Sequence, residues 1–210
     1  MLNAGIYGDI IQIVFCKFAN TLISFKTEVK SMKIFVGCSS RNIGNPDYDR
    51  VADTIGEWIA ANGHEFVFGG CGEGLMGRIF NKVKGRSKVY ATQAKVYQDE
   101  LEGLAADEIH VIDTINQRKD YYAQLADVLV YIPGGIGTLD ELISGIETRR
   151  CGEHTKPLII VNENNFFGPL IEMLEKIYGE NLASESVKKY YYVADSVESA
   201  VEKLTEISNK

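Results

Sequence analysis

With 210 residues, 45% of them hydrophobic and 24% charged, the chain is long enough for one domain with a sizeable core and has the make-up of a globular protein. A formal net charge of −7 argues against broad binding to nucleic acid or to an anionic membrane surface, since both want a basic face. The four cysteines (Cys16, Cys38, Cys71, Cys151) are scattered without a CxxC pair and the three histidines are equally dispersed, which suggests no disulfide framework and no metal site and fits a reducing cytoplasm.

The early stretch from Ile10 to Phe25 is apolar but broken by Gln12, Lys17 and Asn20, and Asp9 rather than a basic residue precedes it. It reads neither as a membrane span nor as a signal peptide. Residues 1–31 are expected to be an appendage, helical or disordered, and the compact domain to run over residues 32–210. From Met32 onward, strands and helices alternate. Lys33 to Cys38 is a strand, and Asn45-Pro46 starts a helix with Val51, Ile55 and Ile59 on one face. Asn62-Gly63 ends that helix. Glu65 to Phe68 is the second strand, and it runs into a Gly-rich turn, G-G-C-G-E-G-L-M-G from Gly69 to Gly77, that opens a helix. Strands over 88–92 and 108–112 follow, with a short helix over 99–104 between them. Thr114 and Gln117 stand at capping-box spacing before the next helix. Asp127 to Ile132 is a strand that leads into P-G-G-I-G-T-L-D-E-L and a helix carrying Leu139, Leu142, Ile143 and Ile146. The last strands are Leu158 to Val161 and Tyr190 to Val193. Each precedes a helix, the second with Asp195 and Glu198 at capping-box spacing.

Apolar strands alternating with helices specify an α/β fold: one domain with a Rossmann-like, doubly wound parallel sheet and helices on both faces. Such sheets bind ligands at the carboxyl ends of their strands, near the reversal in strand order. Both Gly-rich turns follow strands and belong on that edge. Glycines let the backbone approach a ligand, and the first amides of a helix point at it unpaired, which suits an anion. The pattern G-x-x-x-x-G-K-[ST] is absent, and G-C-S-S-R stands where a dinucleotide fingerprint would follow the first strand. A triphosphate loop and a dinucleotide site are therefore disfavoured, and a monophosphate remains.

The segment P-G-G-I-G-T-L-D-E resembles the PGGxGTxxE motif of the Lonely Guy family, often mislabelled as lysine decarboxylases. G-G-C-G-E-G-L-M-G is similar to that family's GGGxxGLMG turn, I-N-Q-R-K to its MHxRK segment, and the resemblance covers Met32 to the end. It implies hydrolysis of nucleoside 5′-monophosphates, such as AMP or cytokinin riboside monophosphates, to free base and ribose 5-phosphate. It implies that Arg118 and Glu141 are the catalytic pair and that Gly134, Gly135, Gly137 and Thr138 hold the phosphate. Gly70, Gly74, Met76 and Lys119 would complete the substrate site, with no cofactor, no metal and a homodimer or higher homo-oligomer. The sequence carries no recognisable pyridoxal phosphate site. Departures from the family pattern at Cys71, Gly72, Glu73, Ile115, Asn116 and the stretch Y-A-T-Q-A-K-V-Y fall where the base would sit, so the base stays open.

Glu141 has a competing role, because Thr138-x-x-Glu141 is itself a capping box. Lys119 reads as a surface or phosphate-steering residue, and Met76 as helix core that borders the base. A non-catalytic carrier of a nucleotide or of molybdenum cofactor on the same architecture is the alternative function.

Overall fold

The structure is a computed structural model that describes residues 30–210. The apolar runs form strands β1 (Lys33–Gly37), β2 (Glu65–Phe68), β3 (Val89–Ala94), β4 (Glu108–Ile112), β5 (Val128–Tyr131), β6 (Leu158–Val161) and β7 (Tyr191–Ala194). Helices α1 (Pro46–Ala61), α2 (Gly74–Val83), α3 (Ile115–Leu125), α4 (Ile136–Arg150), α5 (Gly168–Gly179) and α6 (Val197–Ser208) connect or follow them. The residues from Ser31 to Lys210 make one compact unit. The expected appendage, residues 1–31, lies outside the described residues apart from Lys30 and Ser31.

All seven strands pair in parallel, in the order β4-β3-β2-β1-β5-β6-β7. Because side chains alternate along a strand, the sheet buries two separate sets. Ile34, Val36, Phe66, Phe68, Val128 and Val130 pack with Ile55 of α1, Ile79 of α2 and Leu204 of α6. Phe35, Val67, Leu129, Tyr131 and Ile160 pack with Tyr122 of α3, Leu142 of α4 and Tyr178 of α5. Thus α1, α2 and α6 cover one face and α3, α4 and α5 the other. The edge strand β4 departs from the pattern, with Ile109 and Val111 exposed.

Strand order reverses between β1 and β5, which are neighbours in register from Ile34↔Val128 to Gly37↔Tyr131. Their following loops diverge to opposite faces there, and a crevice opens at their carboxyl ends.

Four local expectations are corrected. The short helix expected over 99–104 is a 3-10 helix at Lys95–Leu101. The third strand runs past Thr92 to Ala94. Tyr190 ends a 3-10 helix instead of opening β7, so the outward and inward residues of that strand are Tyr192 and Tyr191. The cap of α6 is Ser196, whose Oγ accepts from the Ser199 amide; Glu198 pairs with Arg50 instead of completing a box with Asp195.

Candidate active site

The site is built where β1, β2 and β5 end. Three helices start under side-chain caps: α1 under Asn45, α3 under Thr114 and α6 under Ser196. Helix α4 has no such cap. Its N-cap is Gly135, and its first backbone bond runs from the Leu139 amide to the Gly135 carbonyl. The amides of Ile136, Gly137 and Thr138 precede that bond and have no partner within the helix, and the helix dipole adds positive potential at the same place. At Gly135 and Gly137 a Cβ would meet nothing within 4 Å, and both residues line an open cavity.

The glycines of the motif divide by what they do. Gly134 is structural: an added Cβ would collide with Thr138 Oγ1 and stand 3.0 Å from the Cys38 carbonyl carbon. Gly134→Ala should therefore destabilise the fold by about 1–3 kcal/mol, as overpacking does. Gly137→Ala should leave stability within about 1 kcal/mol of wild type. Chemical denaturation of both variants checks this contrast, and equal losses would count against it.

The second Gly-rich turn also braces the scaffold. Gly70 and Gly74 hold positive φ of 82° and 61°. A Cβ at Gly74 would lie 2.6 Å from Ser40 C and 2.7 Å from Arg41 N. The Met76 amide at the start of α2 is already taken, donating to the Ser39 carbonyl at 3.2 Å. That turn pins the loop after β1 against the crevice; α2, like α4, starts without a side-chain cap, but part of its first turn is spent on that loop.

A cavity of about 710 Å³ joins these parts. Met76, Arg118, Gly135, Gly137, Thr138 and Glu141 line it, while Gly70, Gly74 and Gly134 do not. Ser39, Ser40, Arg41 and Glu100 line it too, as do Gln93 and Tyr97 of the stretch expected beside the base. Arg41 carries a signal in hindsight, as an arginine in the loop directly after the strand at the reversal point.

Arg118 and Glu141 meet. Arg118 Nη2 donates to Glu141 Oε1 at 2.6 Å, with the two side chains 13% and 5% exposed. Burial pushes the Glu141 carboxyl up to about 7; Arg118 opposes the shift and neighbouring Asp140 adds to it. A carboxyl poised near neutrality in a cavity is suited to exchanging a proton or meeting developing positive charge. The capping role for Glu141 is excluded. With Gly135 as N-cap, Thr138 is already the third residue of α4, and the Glu141 carboxylate bonds to Arg118.

Lys119 does not line this cavity. Its Nζ bonds Asp140 Oδ1 at 2.8 Å and Ser144 Oγ at 2.9 Å, and it lines a neighbouring cavity of about 640 Å³ with His154 and Lys156. Successive helical residues point about 100° apart, and α3 directs Arg118 into the crevice and Lys119 beside it.

The family model described as possible lysine decarboxylase matches residues 76–204. A cytokinin riboside 5′-monophosphate phosphoribohydrolase of Oryza sativa subsp. japonica is 28% identical over 176 residues, covering 83% of this chain and 73% of its own. A protein of the same description from Rhodococcoides fascians is 25% identical over 187 residues, covering 86% of this chain and 93% of its own. Among solved structures, the molybdenum cofactor carrier protein of Chlamydomonas reinhardtii superposes with a TM-score of 0.63 at 17% identity, covering 86% of this chain and 100% of its own. That likeness concerns the fold.

Proposed function

We propose that this chain, which belongs to the family described as possible lysine decarboxylase, hydrolyses the N-glycosidic bond of nucleoside 5′-monophosphates to give free base and ribose 5-phosphate. The substrates are of the AMP or cytokinin riboside monophosphate kind, as the activity of its relatives suggests. One observation carries the reading: the bare N-terminus of α4 and the buried Glu141–Arg118 pair face one cavity, about one helical turn apart.

In this reading the phosphate oxygens accept from the first amides of α4. Hydrogen bonds to a charged oxygen contribute roughly 1.5–3 kcal/mol each, which makes the phosphate the main anchor. The ribose then extends toward Glu141. As the C1′–N bond breaks, its electron pair leaves with the base and positive charge grows on the sugar. The Glu141 carboxylate stabilises that charge and takes a proton from the water that adds to C1′, while the base takes a proton from solvent. Arg118 holds the carboxylate in place and supplies the cation that keeps it ionised.

Two other functions fit less well. Among the described residues no lysine lines the cavity, so a decarboxylase that works through a lysine Schiff base lacks its amine there. A carrier needs the helix N-terminus but has no use for a buried acid of raised proton affinity.

We further infer a homo-oligomer and a reducing compartment, the cytoplasm. Ile136 and Ile143 of α4 are 82% and 41% exposed and Ile115 of α3 is 42% exposed, an apolar surface that a second copy would cover. Cys38, Cys71 and Cys151 are free thiols. Light scattering should give at least a dimer mass, and Ile136→Asp should lower it; a monomeric wild type would contradict this. Among the described residues no helix is long and apolar enough to cross a membrane. The function is tested by incubating the protein with a panel of nucleoside 5′-monophosphates and separating free bases by chromatography. Release of no base from any of them would sink the reading.

A further inference from the structure

We propose that Gln93 is a positioning residue of this site: tethered by Glu100, it fixes the Arg118 guanidinium beside Glu141 so that the pair meets the substrate in one orientation. The inference deepens the hydrolase reading and rests on it for its kinetic consequences.

Gln93 sits near the end of β3, where every residue is buried, and is only 3% exposed. A buried amide is costly unless all of its polar atoms find partners. Here they do, and in a set order. Gln93 Oε1 accepts from Arg118 Nη1 at 2.8 Å and from the Ala94 amide at 2.9 Å. Gln93 Nε2 donates to Glu100 Oε2 at 2.9 Å. Turning the amide over would set its NH2 group against two donors and its oxygen against a carboxylate, so its orientation is determined by its neighbours. A continuous chain results: Glu100, Gln93, Arg118, Glu141.

Arg118 depends on that chain. Its Nε is buried without a partner, so among the described residues its guanidinium is held at two points, Gln93 and Glu141. Removing the Gln93 acceptor leaves one point, about which the guanidinium can swing. Two-point anchoring also limits Arg118 to a single bond with Glu141. Freed from Gln93, the planar fork would turn both of its ends onto the carboxylate, as arginine and carboxylate prefer. Besides Arg118, the groups that bear on Glu141 are Lys119 of α3, Asp140 of its own helix, Cys38 after β1, Tyr131 of β5 and Tyr122 of α3. Gln93→Leu leaves all of these in place.

The test uses the full-length protein. Gln93→Leu should lower kcat by about 10-fold to 100-fold, the penalty of a slightly misplaced catalytic group, with KM changed by less than about 3-fold. It should also move the pH midpoint of the Glu141 carboxyl downward, followed by carbon-13 NMR of that carboxyl. The exchange Gln93→Glu with Glu100→Gln keeps an acceptor for Arg118 and a donor behind it, and should recover most of kcat. An unchanged kcat, an unchanged or raised midpoint in Gln93→Leu, or a failed recovery in a folded double variant would each overturn the proposal. The NMR titration needs no turnover. A wild type that releases no base while Gln93→Leu shifts the midpoint downward would sink the hydrolase reading and retain the tether.

Discussion

Glu141→Gln is expected to lower kcat by about 100-fold to 10,000-fold, the range found when a positioned acid or base is removed. The amide preserves shape and still accepts from Arg118 Nη2, so the fold should survive. Two pH signatures accompany the loss. In the wild type, kcat/KM should rise with pH through about 7, where the buried carboxyl ionises, and Glu141→Gln should lose that rise. Stability should run the opposite way. The folded-state affinity of Glu141 for its proton is raised above the ordinary value of 4.5. Its contribution to stability is therefore fully present below about pH 4.5 and is lost as pH rises through about 7. The span is on the order of 3 kcal/mol relative to Glu141→Gln, measured by denaturation of both proteins across that window. A stability difference that stays flat, or grows toward alkaline pH, would contradict the burial argument.

Arg118→Ala should be nearly as damaging for a different reason. It removes the bonded cation from a carboxyl that is 5% exposed. With no cation bonded to it, Glu141 should bind its proton more tightly still, so at neutral pH less of it is ionised. We expect kcat to fall by at least about 100-fold and the pH midpoint of the residual activity to move upward from about 7. Arg118→Lys should fall between the two, since it restores a charge but cannot reach Gln93 and Glu141 with two parallel donors. An Arg118→Ala protein with an unshifted midpoint would mean that the ion pair does not set the ionisation of Glu141. The opposite directions expected for Arg118→Ala and Gln93→Leu separate loss of the cation from loss of its tether.

Much of the architecture was legible because its signals are local. The strands β2, β4 and β6 follow from short apolar runs bounded by turns, and Asn45 and Thr114 cap as their spacing implies. The Gly-rich turn before α4 was legible for the same reason: strand, glycines and helix follow directly along the chain. What failed depended on direction or on distant partners. Asp195 and Ser196 both qualify as caps, and only backbone geometry selects the serine. Spacing alone does not tell neighbouring Arg118 and Lys119 apart; helix rotation sends one to Glu141 and the other to Asp140. Gln93 lay in the stretch expected beside the base, but its bond to Arg118 joins residues 25 apart and has no local signal. The two readings of Glu141 were inseparable in sequence, since Thr-x-x-Glu describes a cap and a motif equally. The N-cap is Gly135, three residues before Thr138, so Thr138 does not cap this helix.

The central claim is that α4 anchors a 5′-phosphate while Glu141 and Arg118 act on the sugar–base bond. It is tested most directly by following AMP and adenosine side by side in water enriched in oxygen-18. The account predicts adenine and ribose 5-phosphate from AMP, with one labelled oxygen in the sugar product, and a kcat/KM for adenosine lower by at least about 100-fold. No release of adenine, or equal rates with and without the phosphate, would contradict it.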